Sequence, residues 1–249
     1  MLRGIVKFRA RIVDAIKGLS FPSFYFNLNE PAVEKVEIEG PNGSDILTTV
    51  HLASIPNSKD GEAIAKGVHL AALDRISFLQ GIAIDNGELA GSEFFPVDPT
   101  LGSIFAEPGS LSLTGCEARF VVGLTAASLK KELEQAEPPG ENIFSLFRLG
   151  LNATSPVEKF MILYNILLML FDDSQPKVDA FIRGQDPNVP LTPDPRPNHQ
   201  SRLETVYTRL RNELGHKRSG VSLDRTKEEM TKRANDLANL TKHAIELHS

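Results

Sequence analysis

Residues 155–171 read SPVEKFMILYNILLMLF, and the way this stretch packs decides the fold of the C-terminal part of the chain. Ser155, Pro156 and Glu158 are three independent helix-start signals: a capping hydroxyl, a proline suited to the first turn, and a glutamate three residues after the cap. The helix they open is apolar almost all the way round. Phe160, Ile162, Leu163, Ile166, Leu167, Leu168, Leu170 and Phe171 cannot all face one neighbour. The helix is therefore either the central member of a bundle or also buries a subunit interface. Burying such side chains is worth roughly 1.5–3 kcal/mol each, so leaving one side wet would be costly. The run is interrupted by Asn165 and is too short to span a bilayer.

Working outward, a short helix is expected over 177–183, followed by a Pro-rich loop over 184–199 that carries Pro187, Pro190, Pro193, Pro195 and Pro197. A loop of this length inside a compact domain is either a functional or interaction element or a plain disordered insertion. Helix returns over 202–214, with Leu203, Val206, Tyr207 and Leu210 as its apolar stripe. Thr226-Lys227-Glu228-Glu229 has the pattern of a capping box and opens a terminal helix with Met230, Ala234, Leu237, Thr241, Ala244 and Ile245 on the inner face.

Upstream the pattern changes. Val33, Val36 and Ile38 alternate with charged residues, Pro41-Asn42-Gly43-Ser44 is a strong turn, and 46–55 resumes an extended pattern, together a β-hairpin. Asp60 or Ser58 can cap a helix over 62–79, and apolar runs at Phe94-Phe95 and over 110–123 suggest two or three more strands. A charged surface helix over 126–135 ends at Pro138-Pro139-Gly140. The chain reads as α+β: a mixed sheet-and-helix domain over 1–137 and a helical domain over 141–249.

At 249 residues, 41% hydrophobic and 24% charged, the chain can bury one sizeable core or two modest ones. The single Cys116 supports no intrachain disulfide framework, and a reducing cytoplasm is its natural setting. The basic start, Met1 to Arg9, interrupts every apolar run with Arg or Lys and does not read as a signal peptide. No membrane association is expected. The formal charge of −5 argues against a protein that coats nucleic acid nonspecifically. Between 200 and 233, however, nine Lys/Arg stand against five Asp/Glu, a local +4 that leaves −9 elsewhere. That charge suits a solvated helix face and an RNA-facing surface equally well.

The positive segment contains Arg211-Asn212-Glu213-Leu214-Gly215-His216, a guanidinium, a carboxamide and an imidazole within six residues of a helix end. In a straight helix Arg211 and His216 would point about 140° apart, whereas Asn212 and His216 share a face. A bend at Gly215 would bring all three together. By elementary chemistry this is a phosphate clamp beside a proton-transfer group, because Arg offers paired N–H donors to phosphate and His titrates near neutrality. The same residues also admit a purely structural role: Arg211 paired with Glu213 or Glu204, and His216 capping the helix C-terminus, whose dipole favours a cation.

In spacing, in the Asn directly after the Arg, and in its place between two helical segments, this stretch resembles the R-x4-6-H motif of HEPN-domain ribonucleases. Over 152–248 the helix order resembles theirs too. A narrower likeness is to the MauJ group of methylamine-utilisation proteins, in the string from Tyr207 to His216 and the Thr226-Lys227-Glu228-Glu229-Met230 helix start. The HEPN resemblance implies a bundle that dimerises so that two Arg…His motifs face one cleft, cutting single-stranded RNA without metal or other cofactor. It implies His216 as the proton-transfer group, Arg211 as the phosphate clamp, Asn212 as an orienting residue, and Arg209, Lys217 and Arg218 as contacts to the RNA backbone. Relatives of this type serve phage defence or toxin-like stress responses, and others only bind or assemble. An unidentified protein partner would dock through the N-terminal domain, which carries no motif, or through the Pro-rich loop.

Other chemistries lack their residues. The six His show no His-x-x-x-His or Glu-His ligand spacing, no Gly-x-Ser-x-Gly elbow exists, and Cys116 has no activating neighbour. Gly40-Pro41-Asn42-Gly43 lacks the Lys and the following helix of a phosphate-binding loop.

Overall fold

The computed structural model describes residues 1–14, 17–27, 30–98, 105–107, 120–134, 142–195, 202–215 and 222–248. Two compact units divide the chain, Met1–Ala136 and Glu137–Ser249.

The first unit is a twisted sheet with helices. Its elements are β1 (Leu2–Arg11), β2 (Lys17–Phe26), β3 (Val33–Gly43), β4 (Asp45–Ile55), α1 (Ser58–Gln80), β5 (Glu88–Pro96), β6 (Phe105–Glu107), β7 (Phe120–Gly123) and α2 (Ala126–Glu134). The seven strands lie in the order β6-β5-β1-β4-β3-β2-β7, antiparallel except for the β2–β7 pair. The hairpin expected from the alternating pattern is β3–β4. At its turn the Asn42 carboxamide oxygen accepts from the backbone of Ser44 and Asp45, and Gly43 takes a φ of 77° that favours glycine. On β1 and β4 the even-numbered residues Val6, Phe8, Ala10, Ile46, Val50 and Leu52 are buried. The face of α1 bearing Ala65, Val68, Ala72, Leu73 and Ile76 is buried as well, and α1 packs on β1 and β4.

Two features of this unit differ from the sequence reading. The cap of α1 is Asn57, whose side chain accepts from the Asp60 backbone N–H at 2.9 Å while donating to the Asp60 carboxylate at 2.8 Å. The basic start of the chain is a central strand: Arg3 and Lys7 are exposed, while Arg9 is buried in a two-point pair with Asp45 at 3.0 Å for each bond. Of the strand expected over 110–123, Phe120–Gly123 is β7; the rest, with Cys116 and the Pro138-Pro139-Gly140 boundary, lies outside the described residues.

The second unit is mainly helical: α3 (Ile143–Asn152), α4 (Pro156–Leu170), α5 (Gln175–Gln185), β8 (Leu191–Pro193), β9 (Leu203–Thr205), α6 (Val206–Gly215) and α7 (Leu223–His248). The all-round apolar helix is α4, and it takes the central place in the bundle, touching α3, α5, α6 and α7. Phe160, Leu163, Tyr164, Ile166, Leu167 and Leu168 are buried, whereas Met169 is exposed. Met161, Ile162 and Leu170 of the same helix are only half-buried. Ser155 precedes Pro156 as expected but makes no side-chain capping bond.

Part of the stretch between α5 and α6 is paired as strands. Leu191–Pro193 pairs antiparallel with Leu203–Thr205, so the first residues of the expected 202–214 helix are a strand and the helix starts at Val206. A proline is tolerated in β8 because a short edge strand needs few ladder donors. The terminal helix begins at Leu223, ahead of the expected capping box. Thr226 lies inside its first turn, where its hydroxyl donates to Glu213. No described helix is long and apolar enough to cross a membrane.

Candidate functional site

The motif lies on α6, and the sequence dictates how that helix starts. Thr205 stands just before Val206, and its hydroxyl accepts from the Thr208 backbone N–H at 3.4 Å, the geometry of a Thr N-cap. The same hydroxyl donates to Asp179 Oδ1 at 2.8 Å, and the Thr205 N–H and Thr208 hydroxyl reach that oxygen at 3.0 and 2.6 Å. Asp179, on α5 and 1% exposed, therefore fixes the origin of α6 through three donors. Its other oxygen lies 3.5 Å from Arg202 Nη2. Tyr164 of α4 completes the chain, donating to Thr208 Oγ1, whose own proton goes to Asp179, at 2.6 Å. Burial pushes the Tyr164 phenol well above its usual range, and the nearby Asp179 carboxylate adds to the rise.

The next turns of α6 are pinned to its neighbours. Arg209 donates to Glu213 at 2.8 Å and to Glu229 of α7. Burial alone would lower the Arg209 pKa, but hydrogen bonds to the two carboxylates outweigh it and raise it. Burial would likewise raise Glu229, and Arg209 holds it low instead. Glu213 also accepts from Thr226. Asn212 is buried, accepting from Gln175 Nε2 at 2.9 Å and Arg211 Nη1 at 3.2 Å while donating to Glu204 at 3.2 Å.

Arg211 is placed differently. Its one hydrogen bond among the described residues goes to the neutral Asn212, no carboxylate pairs with it there, and its buried Nε has no partner. It lines a surface cavity of about 630 Å³ with Arg202, Gln175, Ser174, Asp172 and Asp173, among others. Arg209 faces another cavity, of about 420 Å³, with Lys232, Arg233, Glu229 and Asp236. Of the residues singled out in the sequence, Arg211 and Asn212 are thus side by side, and Arg209 opens to a separate cavity. His216, Lys217 and Arg218, together with any bend after Gly215, lie outside the described residues. The pairings considered for Arg211 with Glu213 and Glu204 are made by its neighbours Arg209 and Asn212.

The sequence reading missed Gln175, Asp179 and Arg202. The Thr205-x-x-Thr208 spacing was a readable cap signal, whereas a lone Asp in a short polar helix looks like a surface residue until the chain brings α6 against it. Among the described residues no group of three or more His, Cys, Asp or Glu is placed to hold a metal ion.

No curated protein and no solved structure matches the chain. Residues 143–247, which span α3 to α7, match the family model described as methylamine utilization protein MauJ.

Proposed function

We propose that the C-terminal unit is a HEPN-like phosphodiester-handling domain that acts as a metal-independent endoribonuclease on single-stranded RNA. The observation that carries this reading is the contrast between two arginines two residues apart. Arg209 is occupied by two carboxylates, whereas Arg211 reaches a surface cavity with only the neutral Asn212 as a partner among the described residues. An arginine held by a neutral carboxamide keeps its charge and its remaining forked donors for an anion.

In the proposed reaction the 2′-oxygen of a ribose attacks its adjacent phosphorus, the P–O5′ bond breaks, and a 2′,3′-cyclic phosphate and a 5′-hydroxyl form. The 2′-hydroxyl gives up one proton and the 5′-oxygen gains one. His216 manages this transfer, Arg211 neutralises the charge that builds on the phosphorane oxygens, and Asn212 orients Arg211 from its buried position. Lys217 and Arg218 guide the strand, with Arg209 contributing charge from its own cavity. Two copies of the chain set two motifs across one cleft, in the setting of phage defence or a toxin-like stress response.

A second reading has its own observation. Asn212 and Arg209 are fully engaged in tying α6 to α5, β9 and α7, which is also what a noncatalytic interaction or assembly protein would need. Cleavage of an end-labelled single-stranded RNA in EDTA decides between the two. Wild type should leave cyclic phosphate ends, Arg211→Ala and His216→Ala should lose at least 100-fold in rate with melting unchanged, on the scale of about 10²–10⁴ for general acid–base groups. Absence of cutting by the folded wild type, or its dependence on added magnesium, rejects the ribonuclease reading.

A further inference from the structure

We propose that Arg202 is a second phosphate-binding residue, so that Arg202 and Arg211 together grip one internal phosphodiester of single-stranded RNA; this rests on the ribonuclease reading above. Both arginines line the same cavity, although Arg202 precedes β9 and Arg211 sits in the second turn of α6. The sequence offers no pattern that links them.

The hold on Arg202 suits a ligand-binding arginine. Its one carboxylate contact among the described residues is to a single oxygen of Asp179 at 3.5 Å, and the other oxygen of Asp179 is already filled by three donors. The Asp179 side chain is 2% exposed and that of Arg202 is 27% exposed. A fixed, buried carboxylate therefore holds one end of the guanidinium, and the planar fork keeps further donors for a ligand. Arg211 is held in the same way by buried Asn212, which is itself locked to Gln175 on the cavity wall.

The charges around the cavity also set the kind of phosphate. Arg202, Arg211 and Lys177 are matched by Asp179, Asp172 and Asp173, and Lys177 takes Asp172 at 2.6 Å. Asp172 and Asp173, which line the cavity, are exposed. Counted over the described residues, this lining is close to neutral, which suits the single negative charge of a phosphodiester. A phosphate monoester, carrying about −1.5 to −2 at pH 7, meets more repulsion there.

The test uses the full chain and a noncleavable probe, a 2′-O-methyl oligonucleotide, with binding followed by fluorescence anisotropy across a salt series. Arg202→Gln should weaken binding about tenfold and flatten the plot of log affinity against log salt by about 0.7, the value for one phosphate contact on a single strand. Arg202→Lys should keep the slope while losing affinity, because the charge remains and the fork does not. If Arg202→Gln binds like wild type while Arg211→Gln loses affinity and slope, the Arg202 assignment is overturned and the ribonuclease reading stands. If neither variant moves the slope, that reading falls as well. Should Arg202→Gln fail to fold, Arg202→Lys decides: lower affinity at equal slope supports the assignment, and unchanged affinity overturns it. Displacement of the probe by inorganic phosphate at concentrations comparable to the probe's own phosphodiesters would overturn the preference for an internal phosphodiester.

Discussion

Asp179→Ala is expected to destabilise the C-terminal unit more than any surface change on α6. The carboxylate accepts from Thr205 N–H, Thr205 Oγ1 and Thr208 Oγ1 on one oxygen and faces Arg202 with the other. Hydrogen bonds to a charged group are worth about 1.5–3 kcal/mol each, but the two hydroxyls can rotate toward other acceptors and the three bonds share one acceptor atom. The Thr205 N–H has no such freedom, and Arg202 would be left partly buried without its counter-charge. Removing one side of a buried pair costs about 3–5 kcal/mol, and we expect that range. At roughly 4 °C per kcal/mol for a unit of this size, the melting point falls by about 12–20 °C. Asp179→Asn keeps an acceptor oxygen and the side-chain volume, so its cost should be about 1–3 kcal/mol. Urea unfolding of the full chain, with hydrogen exchange on the amides of α6, measures both and shows which unit responds. A loss below about 1 kcal/mol for Asp179→Ala, or equal losses for Ala and Asn, would refute this account of how α6 is anchored.

Asp45 in the first unit carries the acid sensitivity of the Arg9 pair. Burial alone would raise its pKa, yet the hydrogen bonds from Arg9 and Asn42 outweigh burial and hold it below 3.8. The pair's contribution is thus complete above about 3.8 and is lost as pH falls through the lower folded value, so wild type weakens in acid. Asp45→Asn should be less stable at neutral pH by about 3 kcal/mol and flatter in the acid range, which calorimetry at several pH values checks. Gly87→Ala should cost roughly 2 kcal/mol or more in denaturant melts, because φ is +69° and a Cβ would lie 2.6 Å from His69 Nε2 and 2.9 Å from the Arg9 carbonyl oxygen. Light scattering at micromolar concentration should show a homodimer if two motifs share one cleft; a monomer that still cuts RNA would remove the composite site and leave the single-chain chemistry.

What the sequence determined by itself was local. The β3–β4 hairpin followed from alternation and the Asn42-Gly43 turn, α4 from its start signals and apolar content, and the Arg211-Asn212 pair from adjacency, because each is encoded within a few residues of itself. Where short-range signals compete, the boundaries moved. Thr226 looked like a cap and is a hydrogen-bond donor to Glu213 inside α7, and residues 203–205 looked helical but pair with β8. β1 was hidden because the cations of its exposed positions masked the alternation of a strand with one buried face. The tertiary structure alone decided that Arg209 is taken by Glu213 and Glu229, that Arg211 is left to a cavity, and that Asp179 and Arg202 belong beside it. Apart from the local Arg209–Glu213 pair, those outcomes depend on which element face meets which neighbour, as in the 26-residue separation of Asp179 and Thr205. Low-dielectric burial then makes each such meeting energetically decisive, and no window of sequence contains it.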